Sequence, residues 1–399
     1  MNVLNIIPGY YPATVYGGPV FSVHFACQAL ARRNLNVHVA TTNVNGFLGA
    51  KLDVPTSTDV VLEANYTVRY YSGSHIGHWS WALFQDLKRI IEKADIVHLQ
   101  DVYSVHALLA ICFSIVQHRP IVISPRGIFS SWALSSGRRV TKRLWTAGMI
   151  RPLVGNHCRV AWHATSAMEK IDILRVFPGS TVHVVPNAID VMSISAGERL
   201  DRASYVQRFF PNCTIAADRA FVLVAMGRLH SIKGFDIAIR CLAELGPRLP
   251  ECILLIAGNN EGELANLEAL IAALDLKGRV ALVGPQYDQD KAAFLTGADI
   301  YLFPSHSENF GIALLEGLAA GLPVVASRKT PWDEVETAGS GLWVQNTPAA
   351  FADAIVELHG QDLQTLQKNA RAHAAAYDLD SIAISFERIY SEMINGNPS

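Results

Sequence analysis

Residues 304–323 read PSHSENFGIALLEGLAAGLP. A buried strand, Asp299 to Phe303, runs into this stretch, and Pro304, Ser305 and Asn309 are residues of turns and caps. From Ile312 the apolar residues are dense enough for a helix laid against a sheet, and Gly321 and Pro323 end it. A helix that starts at Gly311, free of side-chain bulk, offers an anion site, because its first amides have no intrahelical partner. Glu308 lies in the loop before that start, and Glu316 about one to two turns inside. Both carboxylates then reach a polyhydroxyl ligand whose phosphate rests on the helix start.

The same half of the chain repeats this strand–loop–helix unit. AFVLVAMGRL (220–229), ILLIAG (253–258), RVALVG (279–284), ADIYLFPS (298–305) and PVVAS (323–327) read as strands. Helices near 235–245, 263–274, 290–296 and 312–320 separate them, and such alternation means a parallel sheet. Gly227-Arg228 ends the first of these strands and Lys233-Gly234 opens the next helix. Two cations five apart on one strand-to-helix loop clamp a diphosphate, Arg as a planar fork and Lys as a point charge. Surface Arg and Lys on a loop are the plainer alternative. Asp288-Gln289-Asp290 resembles a metal-holding D-x-D, but it precedes a helix, and capping explains it more simply. No metal site and no cofactor are expected.

Outward to the first half, residues 2–7 form a strand, followed by the loop PGYYPATVYGGPV and a helix to about Arg33. The glycine pair Gly17-Gly18 lets backbone approach a ligand at the carboxyl end of strand one, although a lone Gly-Gly is more often a plain turn. Strand 38–44, weak strands near 58–71, helix 81–93, strand ADIVHLQD (94–101), helix 104–117 and strand PIVISPRG (120–127) follow. His98, Gln100, Asp101 and Arg126 therefore stand at or near strand ends, where a doubly wound fold has its crevice. A single histidine there is more often a satisfied structural group; several polar strand-end residues together point to a site. HATSAMEK (163–170) and VHVVPNAID (182–190) close this half. The fold class is α/β: two doubly wound parallel-sheet domains, 1–190 and 219–378, facing a cleft, with a linker at 191–218. The last helix, 379–394, is amphipathic; packing back on the first domain is one option, and the sequence leaves its partner open.

The chain has 399 residues, half of them hydrophobic, which is ample for two cores. A net charge of −2 points to no nucleic-acid partner. The six cysteines lack any C-x-x-C spacing and read as reduced residues of a cytosolic protein. The opening MNVLNIIPGYY is strand-like rather than a signal peptide. The longest apolar stretch, near Val105 to Val116, is too short to span a bilayer. No acidic residue occurs between Asp101 and Glu169. Within that span RRVTKRLWTAGMIRPL alternates Arg138, Arg139, Lys142 and Arg143 with apolar residues, which suits an anionic membrane surface as well as it suits a solvated helix. The expected location is cytoplasmic, with peripheral placement on the inner face of the plasma membrane.

The G-R-L…K-G pattern, the E-x7-E pattern in SENFGIALLEG, the early G-G-P loop and the V-P-N-x-I-D turn resemble the retaining glycosyltransferases of family 4 (group 1), over essentially the whole chain. SPRGIFSSWAL and KTPWDEV look like bacterial members that build surface polysaccharides. The resemblance implies a GT-B fold with two Rossmann-like domains. It implies a nucleotide-diphosphate sugar as donor, a saccharide or lipid-linked saccharide as acceptor, and no metal requirement. By the same resemblance Arg228 and Lys233 would neutralise the leaving diphosphate. Glu308 would bind donor-sugar hydroxyls, with Asn309, Phe310 and Gly311 beside it, and Glu316 the ribose. Val283 and Gly284 would flank the base, and Gly17 and Gly18 would close on the phosphates. The chain departs from the family at Gln100, where many relatives carry a second His, and at Arg126-Gly127, where many carry His-Gly. His98 and Arg126 remain candidate catalytic groups, and Gln100 and Asp101 acceptor-side candidates. A nucleotide-sugar 2-epimerase of the same fold and a non-catalytic nucleotide-sugar-binding subunit are the alternatives.

Overall fold

In a computed structural model of the chain, residues 1–13, 15, 17–46, 50–74, 78–135, 139–155, 157 and 159–396 are described. Contacts divide the chain into two units. One joins Met1–Ala188 to the C-terminal helix Leu379–Asn395, and the other is Ile189–Asp378.

The first unit is built on eight strands: β1 (Asn2–Gly9), β2 (Asn36–Thr42), β3 (Asp59–Glu63), β4 (Tyr66–Tyr71), β5 (Ile96–Leu99), β6 (Ile121–Ile123), β7 (Val160–Ala164) and β8 (Val182–Val184). Their order is β3-β4-β2-β1-β5-β6-β7-β8, parallel throughout except where β3 runs against β4. β5, β6 and β7 are buried at every position, the near-continuous apolar run of a parallel sheet covered on both faces. Helix Gly18–Arg32 lies on one face, burying Val23, Cys27 and Leu30 with Phe386, Ile389, Tyr390 and Met393 of the C-terminal helix. Helices Trp81–Lys93 and Val105–Val116 cover the other face through Leu83, Leu87, Ile91, Ala107 and Ile111. Ser80 and Ser104 start these two helices by accepting from Leu83 N and Ala107 N. Strand order reverses between β1 and β5, so their carboxyl ends border the crevice of this sheet.

The second unit carries β9 (Phe221–Met226), β10 (Cys252–Ala257), β11 (Val280–Gly284), β12 (Ile300–Phe303), β13 (Val324–Ser327) and β14 (Gly341–Val344). The order is β11-β10-β9-β12-β13-β14, all parallel. Here the order reverses between β9 and β12, the strands that deliver Arg228 and Glu308.

Residues 191–218, expected as a linker, belong to this second unit. Helix Arg202–Phe209 buries Tyr205, Val206 and Phe209 in the core, and Tyr205 Oη donates to Phe294 O at 2.7 Å. Gly297 leaves the room for that ring: a Cβ there would lie 2.1 Å from Tyr205 Cδ2. A short helix is expected in this segment, but its buried stripe is only three residues in eight, and the charged residues around it make it read as linker.

The basic segment forms a short helix, Arg139–Trp145, continued by a π-helical turn, Thr146–Ile150. Arg138 and the side chain of Arg139 lie outside the described residues. Val140, Leu144 and Met149 are exposed, while Ile150 and Val154 are buried and Trp145 Nε1 donates to Val102 O at 2.8 Å. No helix among the described residues is long and apolar enough to cross a membrane.

Candidate active site

In the second unit β9 runs out at Met226 and the chain turns through Gly227, Arg228 and a 3-10 turn, Ser231–Lys233. Gly234 then adopts a left-handed conformation (φ 65°) and starts helix Phe235–Leu245. A Cβ on Gly234 would sit 2.1 Å from Pro304 O, so glycine is what lets this loop meet the exit of β12. His306 N donates to Ile232 O at 2.8 Å and fixes the same junction. Across it Lys233 Nζ lies 2.7 Å from Glu308 Oε2, both side chains largely shielded from solvent. Asn309 follows Glu308 with intermediate exposure.

The next turn is shaped from below. Trp332, fully buried, donates its Nε1 to Phe310 O, and Phe310 packs between Trp332 and Tyr377 at ring distances of 5.2 and 5.8 Å. Gly311 is left-handed (φ 101°), with Phe303 Cζ 2.7 Å from where a Cβ would stand. Helix Ile312–Ala320 therefore begins on a glycine, with no side-chain cap and no acid in its first turn. Its amides stay available to an acceptor brought by a ligand. Glu316 on this helix pairs with Lys291 at 2.6 Å. Arg228 pairs with Glu261 at 2.6 Å, a largely exposed contact of about 0–1 kcal/mol that a ligand displaces at little cost. Gly284 ends β11 with φ 73° and nothing within 4 Å of its Cβ position, an open edge beside Val283.

The structure thus joins Lys233 to Glu308 and Glu316 to Lys291, while Arg228 turns toward Glu261. Lys291 and Glu261 carry no sequence signal of these roles. Asp290 of the D-x-D pairs with Arg208, and the helix it opens, Asp288–Thr296, has no side-chain cap bond at its start. The capping explanation of this motif is therefore replaced by an ion pair. Among the described residues no group of three or more His, Cys, Asp or Glu side chains is arranged to hold a metal.

In the first unit the strand-end residues separate into two kinds. His98 is 2 % exposed, with Nδ1 2.7 Å from Tyr390 Oη and Nε2 2.7 Å from Ser124 Oγ. Ser124 Oγ in turn meets His163 Nδ1 at 2.6 Å, and His163 Nε2 donates to Val185 O at 2.8 Å. Burial holds both imidazoles below their ordinary pKa, His163 at about 3, so both rings are neutral. His98 thus sits in a buried relay from the C-terminal helix to the residue after β8, with both ring nitrogens bonded within the fold. Asp101 is also occupied: its carboxylate accepts from Tyr103 N and Ser104 N, both at 2.9 Å, and shapes the turn before helix Val105–Val116.

Arg126 and Gln100 remain together. Arg126 adopts a left-handed backbone (φ 56°), and its Nε and Nη2 donate to Gln100 Oε1 at 3.0 and 2.7 Å. Nη1 donates to Asn187 Oδ1 at 2.7 Å. Gln100 Nε2 is held by Asn5 Oδ1 at 3.2 Å. Buried Glu169, unnoticed in the sequence, accepts from Gly127 N at 2.6 Å and from Thr165 N at 2.7 Å, pinning the loop after Arg126. Gly17 (φ 68°) and Gly18 start helix Gly18–Arg32, with open space at the Cβ position of Gly17.

Two families match the chain: "Glycosyl transferases group 1" over residues 209–377 and "Glycosyltransferase Family 4" over residues 16–192. The D-inositol 3-phosphate glycosyltransferase of Corynebacterium jeikeium is 30% identical over 237 residues, 56% of this chain and 55% of that protein. The enzyme of that name from Acidothermus cellulolyticus is 29% identical over 269 residues, 65% and 57% of the two chains. The chain thus spans about half the length of these curated relatives. Among solved structures, Anabaena HepE with UDP and glucose superposes with a TM-score of 0.72 at 18% identity, covering 98% of this chain and 100% of that one. WaaG, a glycosyltransferase involved in lipopolysaccharide biosynthesis, gives 0.68 at 18%, covering 99% and 100%. Both likenesses show the GT-B fold.

Proposed function

Because the chain belongs to the family 4, group 1 glycosyltransferases, we propose that it moves a sugar from a nucleotide-diphosphate sugar to a saccharide or lipid-linked saccharide acceptor, with retention at the anomeric carbon and without a metal. The observation that carries this reading is the junction of Lys233, Glu308 and the uncapped helix start at Gly311. A cation, a carboxylate and free amides converge there. In the reaction the bond from the anomeric carbon to the diphosphate breaks, and the acceptor oxygen bonds to that carbon on the same face. The acceptor proton passes to the departing phosphate oxygen. Lys233 and Arg228 take up the charge that develops on the diphosphate, Glu308 orients sugar hydroxyls, and Glu316 the ribose. Electrostatic stabilisation of a leaving group asks for donors of this kind rather than a strong nucleophile.

Thermal unfolding of the full chain with nucleotide diphosphates and their sugars, chelator present, tests the reading. A ligand bound only by the folded state adds about 2.7 kcal/mol at one hundred times Kd. Stabilisation by one base without metal is the expected result; no response to any nucleotide would remove the reading. Donor incubated alone also separates the alternatives, since an epimerised product would place the protein among the 2-epimerases.

Surface-polysaccharide synthesis at the inner face of the plasma membrane is the biological setting we assign. WaaG supports that setting by what it is named for, while the curated relatives' names point to a phosphorylated cyclitol as acceptor. For membrane contact the support is the exposed run Val140, Leu144 and Met149 interleaved with Lys142 and Arg143. Each basic residue near an anionic leaflet adds about 1 kcal/mol. Neutralising Arg138, Arg139, Lys142 and Arg143 together is expected to release the protein from phosphatidylserine-containing vesicles. Equal co-sedimentation of variant and parent would reject the contact.

A further inference from the structure

Arg126 is a cation held by neutral partners. A guanidinium has five N–H donors. The short bonds to Gln100 Oε1 and Asn187 Oδ1 use one each from Nε, Nη2 and Nη1, and the remaining contact, Nη1 to Ser22 Oγ, is 3.5 Å long. One N–H on Nη2 is left over, and among the described residues no carboxylate forms an ion pair with the group. The acid whose charge it feels, Glu169, spends its oxygens on Gly127 N, Thr165 N and Thr165 Oγ1. Burial without a counter-charge lowers the Arg126 pKa to about 10, which leaves it charged at neutral pH.

The surroundings repeat the imbalance. Asn5, 2 % exposed, has its Nδ2 without a partner beside the Gln100 that braces Arg126. Ser22 comes from the start of helix Gly18–Arg32, whose first turn holds no acid and whose N-cap, Gly17, makes no side-chain cap bond. A helix start adds partial positive charge at the same place. The cluster is rich in donors and poor in acceptors, at the carboxyl ends of β5 and β6 and against the middle of β1. A purely structural brace needs no such excess. A partly buried cation without a counter-charge has lost part of its solvation, and an anion brought by a ligand makes up that loss. The left-handed backbone at Arg126 is strained, and the following loop, held by Glu169, fixes it in place.

We propose that Arg126 is an anion-reading subsite of the first domain, and that the sugar substrate docking there carries a carboxylate or a phosphate. The inference rests on the glycosyltransferase reading. The shared chemistry is a negatively charged oxygen pair facing the guanidinium; its source is a uronic acid on the donor or a phosphate on the acceptor.

Calorimetric titration of the full chain distinguishes them. In the donor arm the probes are UDP-glucuronate and UDP-glucose. In the acceptor arm they are glucose 6-phosphate and glucose, with UDP present. The expected result is that in one arm the anionic member binds about 10- to 100-fold tighter, the discrimination a charged hydrogen bond provides. Arg126→Gln and Asn187→Asp are both expected to bring that ratio close to one, the second by placing a competing carboxylate where Asn187 Oδ1 now meets Nη1. A merely structural role would weaken the charged and neutral probes alike and keep the ratio. UDP bound normally, with a ratio of one in both arms of the parent or a ratio surviving in both variants, would overturn the subsite alone. Where a nucleotide other than UDP stabilises the chain, it replaces UDP in every probe; failure of any nucleotide to bind would bring down the glycosyltransferase reading and this inference together.

Discussion

Replacing Lys233 with alanine is expected to lower kcat/KM for sugar transfer by about 100- to 1000-fold. Lys233 Nζ stands 2.7 Å from Glu308 and is largely buried, so its charge acts in a medium that screens it poorly. The helix start at Gly311 lies three residues beyond Glu308, and on the proposed reading a diphosphate seated there would meet the ammonium. The substitution also strands Glu308 as a shielded carboxylate, at a cost of about 1–3 kcal/mol to the second domain. The same coupling means that removing Glu308 is not neutral for packing, as a loop carboxylate at a cleft would suggest. Lys233→Met keeps the aliphatic stem and separates the two effects. If either variant, folded by circular dichroism, turned over within threefold of the parent, Lys233 would have no part in leaving-group stabilisation.

The second large effect is expected from Gly234→Ala. The added methyl group would lie 2.1 Å from Pro304 O, at a residue with φ 65°. Neither strain is relieved by moving a flexible side chain, because the obstacle is backbone. Overpacking of this kind costs about 1–3 kcal/mol. The functional loss is larger, since this close approach lies at the junction where the His306 N–Ile232 O bond and the Lys233–Glu308 pair hold the two loops in register. Nucleotide affinity and transfer are both expected to fall more than about 100-fold, as the geometry of a positioned site is lost with a shift near 1 Å. Gly148→Ala, which meets open space, is the control. Parent-like nucleotide affinity in Gly234→Ala would show that the two loops are positioned independently of this contact.

These sites differ in how visible they were beforehand. The strands of the second domain announce themselves because a parallel strand covered on both faces must be apolar throughout, as CILLIA in β10 is. The stretch from Glu308 to Glu316 is legible because its chemistry is local: a loop, a glycine and a helix start within nine positions. Long-range partners leave no such trace. Nothing about His98 indicates that Tyr390 will fill its Nδ1 from 292 residues away. A strand-end histidine looks like site chemistry in the sequence, and in the fold it is hydrogen-bonded interior wiring. Lys291 is one more lysine after an acidic turn until the helices bring it to Glu316. A short helix within 191–218 is legible, but the burial of Arg202–Phe209 is not, because its three core residues stand among charged neighbours. Arg126 fell between these cases. Its place at a strand end could be read, whereas its neutral company could not, because Gln100, Asn187 and Ser22 come from three separate segments.

The C-terminal helix has a bearing on how the protein is made. Residues 189–378 leave the ribosome as a continuous block that owns all of its core, so the second domain is free to fold during synthesis. The first domain emerges earlier and must wait. The surface formed by Val23, Cys27 and Leu30 of helix Gly18–Arg32 and by Ile96 of β5 stays incompletely covered until Phe386, Ile389 and Tyr390 have been added. For the time taken to translate an entire domain the nascent protein displays a greasy, half-finished surface, the kind that holdase chaperones bind. Helix Leu379–Asn395 acts as a completion latch: the half of the enzyme that begins first cannot close until the other half has been made.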